Sequence, residues 1–126
     1  MKRAFMTEDA PRPAGPYSHA VRAGDTIYLA GQGPFDPVTG EQPDEFEERV
    51  RQTFRNLEAT ARSAGGSLAD AVRIGVYLRD MGDFGAMNKV YAEIVPEPHP
   101  VRTTIQSNLV GLDVEIDAVL WVGGRS

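Results

Sequence analysis

No cysteine occurs among the 126 residues, which excludes disulfides, thiol nucleophiles and cysteine-ligated metals. No apolar run reaches the length of a membrane span. The basic start "MKRAFM" is not followed by the apolar stretch of a secretory leader, so the expected compartment is the cytoplasm. Positive charge is also short, with 13 basic residues against 18 acidic ones and a net charge of −5. The nearest basic grouping, Arg49, Arg51 and Arg55, is interleaved with Glu45, Glu47, Glu48 and Glu58. A nucleic-acid ligand calls for a concentrated basic face, and none is expected here. Only two histidines are present, His19 and His99, both in predicted loops. A hydrolytic zinc centre takes three protein ligands, so no metal is expected.

What is present reads as one soluble domain over residues 1–126, with 41% hydrophobic and 25% charged residues. "TEDAPRPAGPYS" is Pro- and Gly-rich and predicts a surface loop. Val21 to Ala30 holds two apolar runs around Ala23-Gly24-Asp25, a hairpin pattern. Phe46, Val50, Phe54, Leu57 and Ala61 recur at helical spacing, with Asp44 and Glu47 spaced as a capping box and Gly65-Gly66 as the stop. Val72, Ile74, Val76 and Leu78 then alternate with polar or small neighbours as a strand with one buried face. A second helix opens near Asp83, with Phe84, Met87, Tyr91 and Ile94 on its apolar side, and Pro96, Pro98 and Pro100 end it. Two strands close the chain, Val101 to Gln106 and Asp113 to Val122. The order predicts an α+β fold with the helices packed on one face of a sheet. Val119 and Trp121 put apolar residues on the second face of the last strand, which predicts a covering subunit there.

The chemistry-bearing pattern lies in those last strands. Arg102, Thr104 and Gln106 alternate with Val101, Thr103 and Ile105, while Glu115 and Asp117 oppose an apolar row. If the two strands form a hairpin with their apolar rows in the core, Arg102 and both carboxylates share the other face. A guanidinium fork can hold a carboxylate through two charge-assisted hydrogen bonds, and a nearby Glu can deprotonate a water. Spacing alone favours an ordinary cross-strand ion pair over a functional pairing. Gly31-Gln32-Gly33 is no phosphate fingerprint, because Pro34 follows and no helix begins there; a bulge or tight bend is the commoner meaning. Ser18, Ser107 and Ser126 lack a nucleophile elbow or a partner histidine. Tyr17 reads first as a packed loop aromatic, with a hydroxyl pointed into a pocket as the rarer alternative, and Asn88 as a helix-surface amide unless its helix borders a cleft.

Five segments in order resemble the Rid (YjgF/RidA) family of reactive-intermediate enamine/imine deaminases: "APRPAGPYSHAV" at 10–21, "IYLAGQGPFDPVTGE" at 27–41, "DFGAMNKVYAEI" at 83–94, "HPVRTTIQ" at 99–106 and "VEIDAV" at 114–119. The resemblance implies a chorismate-mutase-like α+β subunit, assembled as a homotrimer with pockets between subunits. It implies that Arg102 holds the substrate carboxylate and that Glu115 positions or activates water. It places Tyr17 with them as a catalytic residue, while Asn88, Ala30 and the backbone at Gly31 and Thr104 would line the pocket. The implied reaction is cofactor-independent hydrolysis of 2-imino acids, formed from enamines such as 2-aminoacrylate, to 2-keto acids and ammonia. Beside Arg102, Glu115 is expected to stay ionised. Against the family pattern, Ala30 replaces a frequent serine, His99 a phenylalanine, Thr104 a cysteine and Asp117 a glutamate, all of which bear on substrate choice. The alternatives are a non-catalytic trimer that binds small carboxylates or partner proteins, and a specialised hydrolase for a larger imine.

Overall fold

The computed structural model describes residues 1–124. Six strands form one mixed sheet: β1 (Lys2–Phe5), β2 (Ala20–Ala23), β3 (Thr26–Gln32), β4 (Ala71–Leu78), β5 (Val101–Gln106) and β6 (Val114–Trp121). Their spatial order is β1-β2-β3-β6-β4-β5, and only the β4/β5 pair is parallel. The predicted hairpin is β2 and β3, turning at Gly24 with φ of 61°. A parallel neighbour requires a crossover, and α2 (Phe84–Ile94) provides it between β4 and β5.

Helix α1 (Phe46–Ser63) buries Val50, Phe54, Leu57 and Ala61 as its spacing requires. Its start differs from expectation, because no side chain caps it and the Asp44–Glu47 box does not form. Arg49 holds this end instead, its Nε donating to the Pro43 carbonyl (2.6 Å) and its Nη1 to the Asp113 carboxylate (3.0 and 3.2 Å). The stop is as expected, with Gly65 at φ of +91°. A true capping box joins Ser67 and Asp70 in the short turn before β4.

Both helices pack on one face of the sheet, as predicted. Ile27, Leu29, Ile74, Val76, Leu78, Val114, Ile116 and Leu120 meet Val50, Phe54, Leu57, Met87 and Val90 there, all buried. The other face is bare in this chain: Tyr28 is 52% exposed and Trp121 57%. Val72, expected in the buried row, is exposed, because the β4/β6 register slips between Ala71 and Arg73.

Two further expectations are corrected. The last two strands do not form a hairpin, since β4 lies between them and pairs with both. The face assignment of β5 is also reversed. Arg102 stands in register with buried Ile74 and Thr104 with buried Val76, so both point to the helix side. Val101 and Ile105 point to the bare side, 70% and 46% exposed. The apolar row of this edge strand is not core, because the helices cover its other face. On an edge with a bare face, apolar alternation does not say which face the domain itself covers.

Candidate functional site

One half of the site lies where β5 meets α2. Phe84, Asn88 and Tyr91 recur at four- and three-residue spacing and so share a face of the helix. The guanidinium carbon of Arg102 sits 4.7 Å from the centroid of the Tyr91 ring and 5.6 Å from that of Phe84. Among the described residues, no carboxylate lies within ion-pair distance of it. A cation–π platform holds the head in place and leaves its N–H donors free for an anion. Arg102, Asn88, Tyr91, Ala92, His99 and Pro100 line an open groove of about 560 Å³. Tyr91 is buried, its hydroxyl has no hydrogen-bond partner, and burial raises its pKa. The Thr104 hydroxyl is likewise buried and unpartnered.

The other half lies on the bare sheet face. Glu115 and Asp117 project there from β6, their neighbours Val114, Ile116 and Ala118 being core. Between Leu29 and Gln32 the β3/β6 register slips, so that Ala30 and Gly31 together occupy a bulge. The Glu115 carboxylate lies over this bulge: a Cβ placed on Gly31 would come within 2.7 Å of Glu115 Oε2. Glycine is required by close approach here. Gly75 does the same for Asp117, whose Oδ2 accepts from Tyr77 Oη (3.1 Å) and whose Oδ1 faces Arg73 Nη1 at 3.5 Å. Burial, and then the negative charge of Asp117, raise the pKa of Glu115 above the ordinary carboxylate range.

Tyr17 lies in the predicted loop, 47% exposed, with its hydroxyl accepting from the Ala14 N–H (3.1 Å). The loop is joined to the bulge by the Ala30 N–H, which donates to the His19 carbonyl (3.0 Å). His19 is buried, accepting from the Thr7 N–H at Nδ1 (3.1 Å) and donating from Nε2 to the Pro11 carbonyl (2.7 Å). His99 is on the surface, 3.7 Å from Glu97. Among the described residues, no group of three or more His, Asp and Glu side chains could hold a metal ion. Ser126 lies outside the described residues.

The fold therefore brings together Arg102 with Asn88, and Glu115 with Gly31, Ala30 and the loop of Tyr17. It does not bring the two groups to each other. Arg102 and Glu115 are on opposite faces of the sheet, contrary to the expectation that they share one, and Glu115 is not held ionised by Arg102 within the chain. Sequence reading missed Tyr91 and Phe84 as a platform for the cation, although their spacing with Asn88 carries that signal. It also missed Tyr77 and Arg73 as partners of Asp117.

The family profile described as endoribonuclease L-PSP matches residues 7–122. A RutC family protein of Pyrococcus horikoshii is 43% identical over 96% of this chain and 98% of its own length. The chain belongs to the Rid family. Within that family it is similar to the 2-iminobutanoate/2-iminopropanoate deaminase of Dermatophagoides farinae, 36% identical over 82% of each chain. RidA from an Antarctic Psychrobacter superimposes with a TM-score of 0.91 at 38% identity, covering 95% of this chain and 99% of that one. Escherichia coli TdcF, solved with bound serine, gives 0.89 at 29% identity, covering 98% and 99%. The α+β architecture, a six-stranded mixed sheet with two helices on one face, is thus the Rid architecture.

Proposed function

We propose that this Rid protein is a cofactor-independent hydrolase of 2-imino acids and their enamine tautomers, releasing 2-keto acids and ammonia. We further propose that it works as a cytoplasmic homotrimer whose sites lie between copies. The observation that carries the reading is the guanidinium of Arg102, without an ion-pair partner among the described residues and laid over Tyr91 and Phe84 at the edge of a groove. The bare sheet face gives a second copy somewhere to bind. An assembly that seats the Arg102 edge of one copy against the Glu115 face of the next supplies what one chain keeps apart.

In such a site Arg102 grips the substrate carboxylate and Asn88 borders it. The backbone at Thr104 and Gly31, with Ala30 and Tyr17, forms the walls. Glu115 accepts a proton from water as the water oxygen adds to C2 of the iminium, and the C=N pair moves to nitrogen. The carboxyl then returns that proton to the nitrogen, which leaves as ammonia. As the C–N bond breaks, the remaining hydroxyl gives its proton to the ionised Glu115, the keto group forms, and Glu115 passes the proton to the departing ammonia or to solvent. A carboxylate with a raised pKa is the better base for this step. The imine is intrinsically reactive, so positioning supplies most of what is needed.

The test is keto-acid and ammonia release from enzymatically generated 2-aminoacrylate. Acceleration by the wild type that is lost in Arg102→Ala supports the reading, and no acceleration rejects it. A second reading, a binding protein without turnover, draws on the serine bound to TdcF. It requires carboxylate binding that depends on Arg102 with no product formed. The acidic balance of the chain disfavours an RNA substrate.

A further inference from the structure

Helix α1 carries a buried polar relay that neither its amphipathic pattern nor the proposed reaction uses. Asn56 is 1% exposed and lies against the far end of β3. Its Nδ2 donates to the Gly33 carbonyl (2.9 Å) and to the Phe35 carbonyl (2.8 Å). Its Oδ1 accepts from Gln52 Nε2 (3.0 Å), which fixes the orientation of the amide. Gln52 Oε1 in turn accepts from Arg55 at Nη2 (2.8 Å) and Nε (3.2 Å). Both amide hydrogens of Asn56 are thus spent on two backbone carbonyls just past the bulge. On the near side of the bulge the Ala30 N–H is held by the His19 carbonyl. Gly33 is also pressed from the other direction, since a Cβ there would meet Leu112 Cδ1 at 2.7 Å.

A buried polar side chain in a helix core costs stability relative to an apolar one unless every group is satisfied, and here each is. We infer that Asn56 is a positioning residue for the site: it clamps Gly33 and Phe35 and so sets the height of Gly31, the floor on which the Glu115 carboxylate rests. This inference rests on the proposed role of Glu115. Neither Asn56 nor Gln52 touches the groove or the carboxylate, so both act only through the backbone. Displacing the Gly31 floor opens a space beneath Glu115, rehydrates its carboxylate and spoils the alignment with bound substrate.

The variants are Asn56→Leu, which keeps the approximate shape without donors, and Gln52→Met, which leaves Asn56 but frees its amide to flip. Three readouts are taken on each: amide hydrogen exchange at 31–35 against the core of β6, kcat and KM for imine hydrolysis, and the acidic limb of the pH profile. The expected result is exchange at 31–35 at least tenfold faster with β6 unchanged. With it, kcat falls about tenfold at little change in KM, and the limb moves to lower pH as Glu115 becomes better hydrated. Faster exchange with unaltered kcat and limb overturns the inference, as does unchanged exchange. Should Asn56→Leu fail to fold, Gln52→Met decides on the same three readouts. A wild type that turns over no imine defeats the proposed function, and exchange at 31–35 then judges the clamp by itself.

Discussion

The guanidinium of Arg102 and the carboxylate of Glu115 project from opposite faces of one sheet. β4 separates their strands, placing them about 10 Å apart in the hydrogen-bonding direction before the sheet's thickness is added. Arg102 shares its face with buried Ile74, and Glu115 shares its face with Asp117 and the bare side. A single chain holds both chemical ends of the proposed reaction and cannot apply them to one small molecule.

Mixing is therefore informative. Arg102→Ala and Glu115→Gln are each expected to hydrolyse imine at least about tenfold more slowly than the wild type. Unfolded and refolded together, they should regain a fraction of wild-type turnover, because some interfaces then combine an intact Arg102 with an intact Glu115. No recovery in the co-refolded mixture, with both variants shown to co-assemble, would place the two residues in one chain's own site or outside the chemistry altogether.

For Arg102 alone, a charge-assisted hydrogen-bonded contact contributes about 1.5–3 kcal/mol. At about 1.4 kcal/mol per decade, kcat/KM for 2-iminopropanoate should fall roughly 10- to 150-fold in Arg102→Ala. Arg102→Lys keeps the charge but loses the planar fork and the stacking on Tyr91, and should fall between the two. Steady-state kinetics with coupled keto-acid detection decides this. Equal activity of all three proteins contradicts the anchor.

Gly31→Ala tests the floor beneath Glu115 directly. The added methyl would meet the carboxylate, the end of a flexible side chain that can swing aside. The fold should survive, with Tm lowered by no more than a few degrees. Activity should fall by about 100-fold, the order expected for a displacement near 1 Å of a reacting group. Calorimetry beside kinetics separates the two effects.

The pH dependence has a definite sign. Burial and Asp117 raise the pKa of Glu115, and the base must be ionised to work, so kcat/KM should decline with acid from above the ordinary carboxylate range. Asp117→Asn removes the neighbouring negative charge, which eases ionisation of Glu115, and the acidic limb should move to lower pH. A limb that stays in place, or moves up, assigns it to another group.

Assembly can be read without any substrate. Tyr28→Asp combined with Trp121→Asp charges the bare face while leaving the helix-side core untouched. Light scattering should report single chains with an unchanged far-ultraviolet circular dichroism spectrum, and hydrolysis should vanish with the assembly. Retention of the wild-type mass would mean that copies associate elsewhere.

Much of this was readable in the sequence where a face is buried by the chain itself. The helical spacing of Val50, Phe54 and Leu57 and the alternation of Ile74, Val76 and Leu78 report burial that the domain completes alone. The reading failed on β5. Apolar Val101 and Ile105 mark the face left bare, while Arg102 lies among α2's aromatic rings. Period-two patterns show that two faces differ, and do not say which face the helices cover. Strand order was also out of reach: nothing local to residues 101–122 signals that β4 will insert between their strands. The candidate residues were found by resemblance, but their separation across the sheet required the register. Asn56 was hidden because a polar residue in the buried stripe of a helix looks like a flaw in the pattern until its carbonyl partners are seen.

The bare side of the sheet has a temporal meaning as well. A single chain closes its helix-side core and leaves Trp121, Tyr28 and Val101 exposed to water. On the proposed architecture, catalytic competence would then arrive at encounter with other copies and would depend on how many chains are present. A defective chain would damage its neighbours' pockets along with its own.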